Sequence, residues 1–225
     1  MRQIAQQPTQ KENEMNPVKY FVRKFWVRYR MITLPQSYLR TTGFIKSHEM
    51  LEPVDAQGKP IPWMNYAMVE FLEKRLQPHF TIFEYGSGYS TLYFKDRVKH
   101  IVSLEYDKKW YHHLQKRLKG STNVSLRYEP VGEAYINAAP QSGSNYDFIM
   151  VDGRERSACV KAGLQALTPE GVLLLDDSDR AEYQGGFAEA EKAGFRALTL
   201  SGIKPFSFTR EESTLFYRDQ NVLNI

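Results

Sequence analysis

Cysteine is almost absent from this sequence, because Cys159 is the single one among 225 residues. One cysteine excludes an internal disulfide framework, and cysteine and histidine nowhere cluster at zinc-site spacing. Long apolar runs are also missing. No stretch approaches the roughly 18 apolar residues that span a bilayer, and the start of the chain lacks the apolar region of a signal peptide. The sequence therefore predicts a soluble, cytoplasmic protein in a reducing compartment.

Acidic residues are scarce near the start of the chain. Residues 1–50 contain 9 Lys/Arg and 3 Asp/Glu, a charge of +6. The whole chain has 30 Lys/Arg and 26 Asp/Glu. Residues 51–225 therefore contain 21 Lys/Arg and 23 Asp/Glu, a charge of −2. The basic character thus belongs to residues 1–50. The first of them, residues 1–15, are polar and are predicted to form a disordered tail.

Residues 17–30 have the pattern of a basic amphipathic helix. Two apolar series recur every four residues, with lysine and arginine between them: Phe21, Phe25 and Tyr29, and Val18, Val22 and Trp26. Three interpretations stay open. The helix docks on its own domain or on a partner subunit of a homo-oligomer, or it lies on an anionic membrane surface, or, least favoured, it binds nucleic acid. The second would place the protein at the inner membrane surface.

Prolines and glycines mark residues 31–61 as a connector with at most short helical turns. This connector could fold over a ligand site as a lid. Together with the basic helix it forms a predicted leader, residues 16–61. An apolar stripe at helical spacing follows over residues 63–76, so the main domain is predicted to cover residues 62–225.

From residue 80 onward, strand-like runs alternate with helical patterns. The predicted strands are residues 81–85, 100–105, 124–128, 146–152, 171–176, 195–201 and 213–218. Helices are expected to begin near Ser90, to be capped by Asp107, and to cover residues 157–167 and 180–193. The last two strands have no helix between them. We therefore expect an α/β fold, a Rossmann-like doubly wound sheet that is mostly parallel with an antiparallel C-terminal edge hairpin.

The turn after the first strand is the most informative stretch. Gly86 and Gly88 allow a tight turn and the close approach of a ligand to the backbone. Glu105 lies 19 residues beyond Gly86, near the ~20 expected for an acid that binds a ribose diol. Thr91 stands where a dinucleotide fingerprint has its third glycine, which weakens the alternative of an NAD-dependent oxidoreductase.

Three segments carry a resemblance to a known family: residues 83–88 (FEYGSG), 103–107 (SLEYD) and 146–153 (YDFIMVDG). Over residues 62–218 the chain resembles the class I S-adenosylmethionine-dependent methyltransferases. The resemblance implies that the glycine turn holds the methionine end of the cofactor and that Glu105 holds its ribose. It also implies that Asp152 lies between cofactor and acceptor. The implied cofactor-binding residues are Glu84, Tyr85, Gly86, Gly88, Ser90, Glu105, Tyr106 and Asp152.

The acids that follow the fourth and fifth strands are similar to those of metal-dependent small-molecule O-methyltransferases. That resemblance implies a magnesium ion held by Asp152, Asp176 and Asp177, although Asp177 stands where that group has an amide. Oxygen ligands at adjacent strand ends suit such a cation. The alternative is that these acids pair with Arg154, Arg156 and Arg180. Asp152 and Asp177 are the candidate catalytic residues, as general base or hydroxyl-orienting group.

The methyl acceptor is predicted only by resemblance. Residues 151–154 and 176–180 resemble segments of bacterial methyltransferase-like proteins associated with surface glycans or secondary metabolites. This favours O-methylation of a sugar or a small-molecule hydroxyl, by in-line displacement, with no nucleic acid as partner. A non-catalytic adaptor that keeps the fold and works through the basic helix is the remaining alternative.

Overall fold

The computed structural model describes residues 16–225, so the tail predicted over residues 1–15 lies outside the described residues. The helices of the described part are α1 (Pro17–Thr33), α2 (Tyr38–Thr41), α3 (Phe44–Met50), α4 (Tyr66–Glu73), α5 (Tyr89–Phe94), α6 (Lys108–Arg117), α7 (Glu133–Ile136), α8 (Arg156–Leu164) and α9 (Gln184–Lys192). The strands are β1 (Thr81–Tyr85), β2 (His100–Glu105), β3 (Val124–Tyr128), β4 (Tyr146–Val151), β5 (Leu167–Asp176), β6 (Arg196–Gly202) and β7 (Glu211–Tyr217).

The seven strands form one sheet in the order β3-β2-β1-β4-β5-β7-β6. β1 lies inside the sheet and pairs in parallel with β2 and with β4, and the parallel pairing continues from β2 to β3 and from β4 to β5. The predicted Rossmann-like doubly wound sheet is therefore confirmed. Because the strand order reverses between β1 and β4, the crevice beyond their carboxyl ends is where such a sheet binds ligands.

The last two strands form the predicted antiparallel hairpin, with Arg196 opposite Tyr217 and Gly202 opposite Glu211. The later strand, β7, is inserted between β5 and β6 and runs antiparallel to both. β6 is consequently the edge of the sheet and points in the same direction as β5. This arrangement places the residues between β6 and β7 at the carboxyl end of β5, on the side of the crevice.

Two apolar layers cover the faces of the sheet. Alternate residues of β4 and β5 point to opposite faces, as the pleat of a strand requires. One face, packed under α4 and α5, includes Ile82, Phe148, Met150, Val172 and Leu174. The other, packed under α8 and α9, includes Phe83, Tyr85, Ile149, Val151, Leu173 and Leu175. The near-continuous apolar run of β4 follows from its burial on both faces.

Some element boundaries differ from the predicted ones for local reasons. The helix predicted over residues 63–76 spans Tyr66–Glu73, because the side chain of Asn65 accepts a hydrogen bond from the Met68 amide at 3.0 Å and caps it. Trp63 is thereby left in the preceding loop. β5 begins earlier than residue 171, since Leu167 already pairs with Tyr146, and α8 ends correspondingly early at Leu164. The one-turn helix α7 was not predicted.

The connector packs against the main domain. Phe44 of α3 and Ile61 are buried in the same apolar layer as α4, and Glu52 forms an ion pair with Arg117 of α6 at 3.3 Å. The helices α2 and α3 are short, as predicted. The division of the chain at residue 61 stays a prediction. Among residues 16–225, helices that combine the length and the apolar character needed to cross a bilayer are absent.

Candidate functional site

The glycine turn lies at the carboxyl end of β1, in the crevice between β1 and β4. The Gly86 amide donates to the Leu104 carbonyl at 2.9 Å, and the Asp152 amide donates to the Tyr85 carbonyl at 2.9 Å. Gly86 has a φ of +90°, and a Cβ atom on it would meet the backbone of Gly153 at 2.7 Å. This glycine is therefore required by the fold, which presses the turn against the loop after β4.

Gly88 has a different role. Its backbone is extended, with a φ of −179°, which any residue adopts. No atom lies within 4 Å of the place where its Cβ would stand. The open space is part of a cavity of about 320 Å³, a size at the lower end for small-molecule sites. The lining residues are Trp63, Gly86, Ser87, Gly88, Tyr89, Ser90, Trp110 and Asp152.

The predicted cofactor residues divide into two groups. Gly86, Gly88, Ser90 and Asp152 line the cavity, and Glu84, Tyr85, Glu105 and Tyr106 lie around it without lining it. The Tyr85 hydroxyl is buried and donates to the Ile136 carbonyl at 2.8 Å. The Tyr106 hydroxyl accepts from Nε of Arg154 at 3.1 Å. Contact of either group with a cofactor stays a prediction.

Glu84 is fully buried and is surrounded by hydroxyl groups. Its carboxylate accepts from Ser90, from Thr91 at 2.5 Å and from Ser103 at 2.6 Å. Burial raises the pKa of Glu84 from 4.5 to about 7, against the opposing effect of these hydrogen bonds. The hydroxyl of Thr91, at the position of the missing third glycine, is thus committed to holding β1 and β2 to the start of α5.

Glu105 stabilises the glycine turn. Its Oε2 accepts from the Ser87 hydroxyl at 2.8 Å and the Ser87 amide at 3.2 Å, and its Oε1 accepts from the Asp107 amide at 2.7 Å. Burial raises the pKa of this carboxyl. The acid is only 2% exposed, so the contact with a ribose that the resemblance implies is not open in this arrangement.

Two tryptophans of the cavity were not predicted as site residues. Nε1 of Trp110, at the start of α6, donates to the Ser87 carbonyl at 2.9 Å. Nε1 of Trp63 donates to the Pro205 carbonyl, between β6 and β7, at 2.8 Å. Trp110 recurs with Leu114 at helical spacing and therefore has a core pattern. Its place three residues after Asp107, just beyond the end of β2, is the signal that could have identified it.

The three predicted acids do come together. Asp152, Asp176 and Asp177 can each place one carboxylate oxygen within 4.8 Å of the others. Burial raises the pKa of both Asp152 and Asp176, and the neighbouring carboxylates add to the shift. Asp176 accepts from the buried Ser213 hydroxyl at 2.5 Å. Of the three, Asp152 is the one that lines the cavity, with 26% of its side chain exposed.

Basic side chains already compensate this cluster. Asp177 is paired with Lys204 at 2.5 Å, with Arg180 at 2.7 Å and with Arg156 at 3.5 Å. Arg156 also contacts the Asp152 carboxylate at 2.8 Å. Three cations face three carboxyl groups, and both oxygens of Asp177 are engaged. A magnesium ion would have to displace these pairs, so the cluster in this arrangement does not fit a divalent cation. The alternative of acid–arginine pairing is the one observed for Arg156 and Arg180.

The sheet order, the reversed β7 and the glycine turn together define the fold of the class I S-adenosylmethionine-dependent methyltransferases. No protein-family model matches the chain, and no curated protein matches its sequence.

Solved structures share the fold at low sequence identity. An rRNA methylase from Streptococcus thermophilus is 12% identical, with a TM-score of 0.52 over 68% of this chain and 95% of that one. Fibrillarin from Aeropyrum pernix with natively bound S-adenosyl-L-methionine is 12% identical, with a TM-score of 0.50 over 64% and 68%. Spermidine synthase from Thermotoga maritima is 14% identical, with a TM-score of 0.50 over 66% and 56%. Since a synthase shares the fold, the reaction has to be argued from the site.

Proposed function

We propose that this protein transfers the methyl group of S-adenosylmethionine to a hydroxyl of a sugar or another small molecule. The observation that carries the proposal is the cavity at the β1–β4 crevice, where Gly88 leaves open space and Asp152 provides a carboxylate on the wall. The cofactor seen in fibrillarin supports the choice of ligand at the level of the fold.

The residues of the crevice have distinct proposed roles. Gly86 and Gly88 would accommodate the methionine end of the cofactor, and Trp63 and Trp110 would cover it and exclude water. S-adenosylmethionine supplies an electrophilic methyl group that an oxygen nucleophile can attack. The contribution of the protein is then mainly to hold the acceptor in line with that group, which accounts for large accelerations without an unusual catalytic residue.

Asp152 is the proposed group that orients the acceptor. A carboxylate on the cavity wall accepts a hydrogen bond from a hydroxyl. Its pKa, raised by burial, moves toward the range in which a general base works near neutral pH. Asp177, a second candidate in the sequence, has both carboxylate oxygens in ion pairs, so we propose a positioning role for it. The sugar part of the proposal is supported by the sequence resemblance alone.

Binding of the full chain to S-adenosylhomocysteine and to NAD, measured by isothermal titration calorimetry, tests the cofactor. We expect binding of S-adenosylhomocysteine and none of NAD, because Thr91 replaces the third glycine that a pyrophosphate needs. Binding of NAD alone would overturn the proposal in favour of an oxidoreductase.

Transfer of a labelled methyl group from S-adenosylmethionine to a panel of sugars, sugar nucleotides and small hydroxyl compounds tests the reaction. Asp152→Asn should reduce transfer, and the exposed Asp179→Asn, close in sequence to the acid cluster, is the matched control that should not. Cofactor binding without transfer to any compound would favour the adaptor.

A further inference from the structure

Helix α1 has a composition unlike the rest of the chain. Its 17 residues contain five basic side chains and no acidic one. None of its residues is buried. Phe21 is 72% exposed, Phe25 60% and Trp26 55%. A helix with this much apolar and aromatic surface in water lacks the partner that its pattern implies.

The exposed side chains are sorted around the helix axis. At about 100° per residue, one apolar arc of about 140° holds Phe21, Ile32, Phe25, Val18, Tyr29, Val22 and Trp26. The basic residues flank this arc on both sides. Lys19, Arg23 and Arg30 border it on the side of Trp26, and Lys24 and Arg28 border it on the side of Phe21. Tyr20, Val27 and Met31 lie opposite.

This order is that of a helix lying flat in the surface of a bilayer. The apolar arc enters the boundary between headgroups and acyl chains, and the flanking lysines and arginines extend their charged ends to the headgroups. Tryptophan and tyrosine, which have an apolar ring and a polar group, are favoured at that depth. A bilayer surface would contact both features of α1, its basic residues and its apolar arc.

Other partners would use only part of the helix. A second copy of α1 would bring a further set of five cations beside the first when the apolar arcs meet, which is repulsive. Nucleic acid would satisfy the cations and leave Phe25 and the other apolar side chains in water. The main domain does not cover the helix in this structure, since no residue of α1 is buried. Near the end of α1, the Arg40 side chain donates to the Ile32 carbonyl at 3.2 Å.

We propose that α1 binds the surface of a bilayer that contains anionic lipids. The four residues 34–37 that join α1 to α2 can span at most about 14 Å, so binding would hold the main domain directly against the bilayer. The inference does not depend on methyl transfer, since it uses no residue of the crevice.

Vesicle sedimentation of the full chain tests this surface. We expect the apparent partition coefficient for vesicles of phosphatidylcholine with about 30 mol % phosphatidylglycerol to exceed that for phosphatidylcholine alone by at least about tenfold at about 0.1 M salt. The double variant Phe25→Ser/Trp26→Ser, which removes two side chains from the apolar arc, should lose at least about tenfold. The matched control Tyr20→Ser/Val27→Ser changes the opposite face and should bind as the unaltered chain does.

Several results would overturn the proposal. These are the absence of binding to either vesicle, equal binding to neutral and anionic vesicles, and equal loss in both double variants. Self-association that Phe25→Ser/Trp26→Ser abolishes, without vesicle binding, would assign the helix to a second copy. Binding of a DNA duplex with no vesicle binding would assign it to nucleic acid. Circular dichroism of both variants verifies that the main domain is folded.

Discussion

Nη2 of Arg156 contacts two atoms of Asp152: it lies 2.8 Å from a carboxylate oxygen and donates to the backbone carbonyl at 3.0 Å. The same guanidinium donates to the carbonyls of Gly153 at 3.1 Å and Asp176 at 2.6 Å. Arg156 thereby fixes the loop after β4 to the end of β5. The carboxylate that lines the cavity owes its position to a side chain that does not line it.

We expect Arg156→Lys to lower the free energy of unfolding by about 1–3 kcal/mol, because an ammonium group cannot reach all three carbonyls and leaves buried acceptors unpaired. Urea unfolding followed by circular dichroism measures this. Arg154→Lys is the matched control. Arg154 is exposed and its side chain makes one hydrogen bond, to Tyr106, so we expect a change within about 0.5 kcal/mol. Equal effects of the two variants would contradict the role given to Arg156.

The strands were predictable because their signal is local. β1, β2 and β3 begin and end at the predicted residues, and β4 ends one residue early. In β1, β2 and β4, short apolar runs bounded by glycine or acid predict buried strands directly. The glycines that line the cavity were predictable for the same reason. Both depend on a few consecutive residues.

The rest of the site depends on contacts between distant parts of the chain. Trp63 is fixed by the carbonyl of Pro205, which lies 142 residues later. Arg154 and Arg156 are two residues apart and chemically alike, yet one is exposed and the other is buried among carbonyls. Neither the contact of Trp63 nor the unequal burial of the two arginines can be predicted from residue spacing. Each depends on how β5, β7 and the loops at their ends are packed.

Substitution of each of the two glycines that line the cavity by alanine should distinguish a glycine needed for stability from one needed for ligand binding. Gly86→Ala places a Cβ 2.7 Å from the Gly153 backbone at a φ of +90°, and the unfavourable backbone alone costs about 1–3 kcal/mol of unfolding free energy. Gly88→Ala meets no atom within 4 Å, so we expect a cost below about 1 kcal/mol.

The same Gly88→Ala methyl group would project into the proposed cofactor site. We expect Kd for S-adenosylhomocysteine to rise at least about tenfold, equivalent to about 1.4 kcal/mol, measured by calorimetry on a variant that urea unfolding shows to be stable. An unchanged Kd would show that the ligand does not approach Gly88.

The ion pairs of Asp177 lead to a prediction about magnesium. Because Lys204 and Arg180 occupy its carboxylate oxygens, we expect neither magnesium chloride nor a chelator to change the melting temperature of the full chain. A bound ion at a hundredfold excess over its Kd would add about 2.7 kcal/mol of stability, which such a measurement detects. A rise with magnesium that Asp176→Asn abolishes would contradict the expectation.

The position of Glu84 predicts how stability varies with pH. Its pKa is raised from 4.5 to about 7 in the folded chain, so between these values the folded state binds a proton that the unfolded state has lost. The contribution of Glu84 to the unfolding free energy therefore falls as pH rises through this window, and its loss is complete above about pH 7. The shift corresponds to about 3 kcal/mol at full ionisation.

Glu84→Gln should remove the part of that dependence that Glu84 contributes and leave the part that Asp152 and Asp176, whose pKa values are also raised, contribute. The amide keeps hydrogen-bonding contact with the hydroxyls of Ser90, Thr91 and Ser103 but carries no charge to bury. The unfolding free energies of the variant and of the unaltered chain can be compared by urea titration at a series of pH values. We expect the difference between them to change in favour of the variant as pH rises from 4.5 to 7. The exposed Glu191→Gln should keep the slope of the unaltered chain. If Glu84→Gln and Glu191→Gln gave the same slope, Glu84 would have to be ionised throughout this range, and its burial would then be compensated by the three hydroxyls alone.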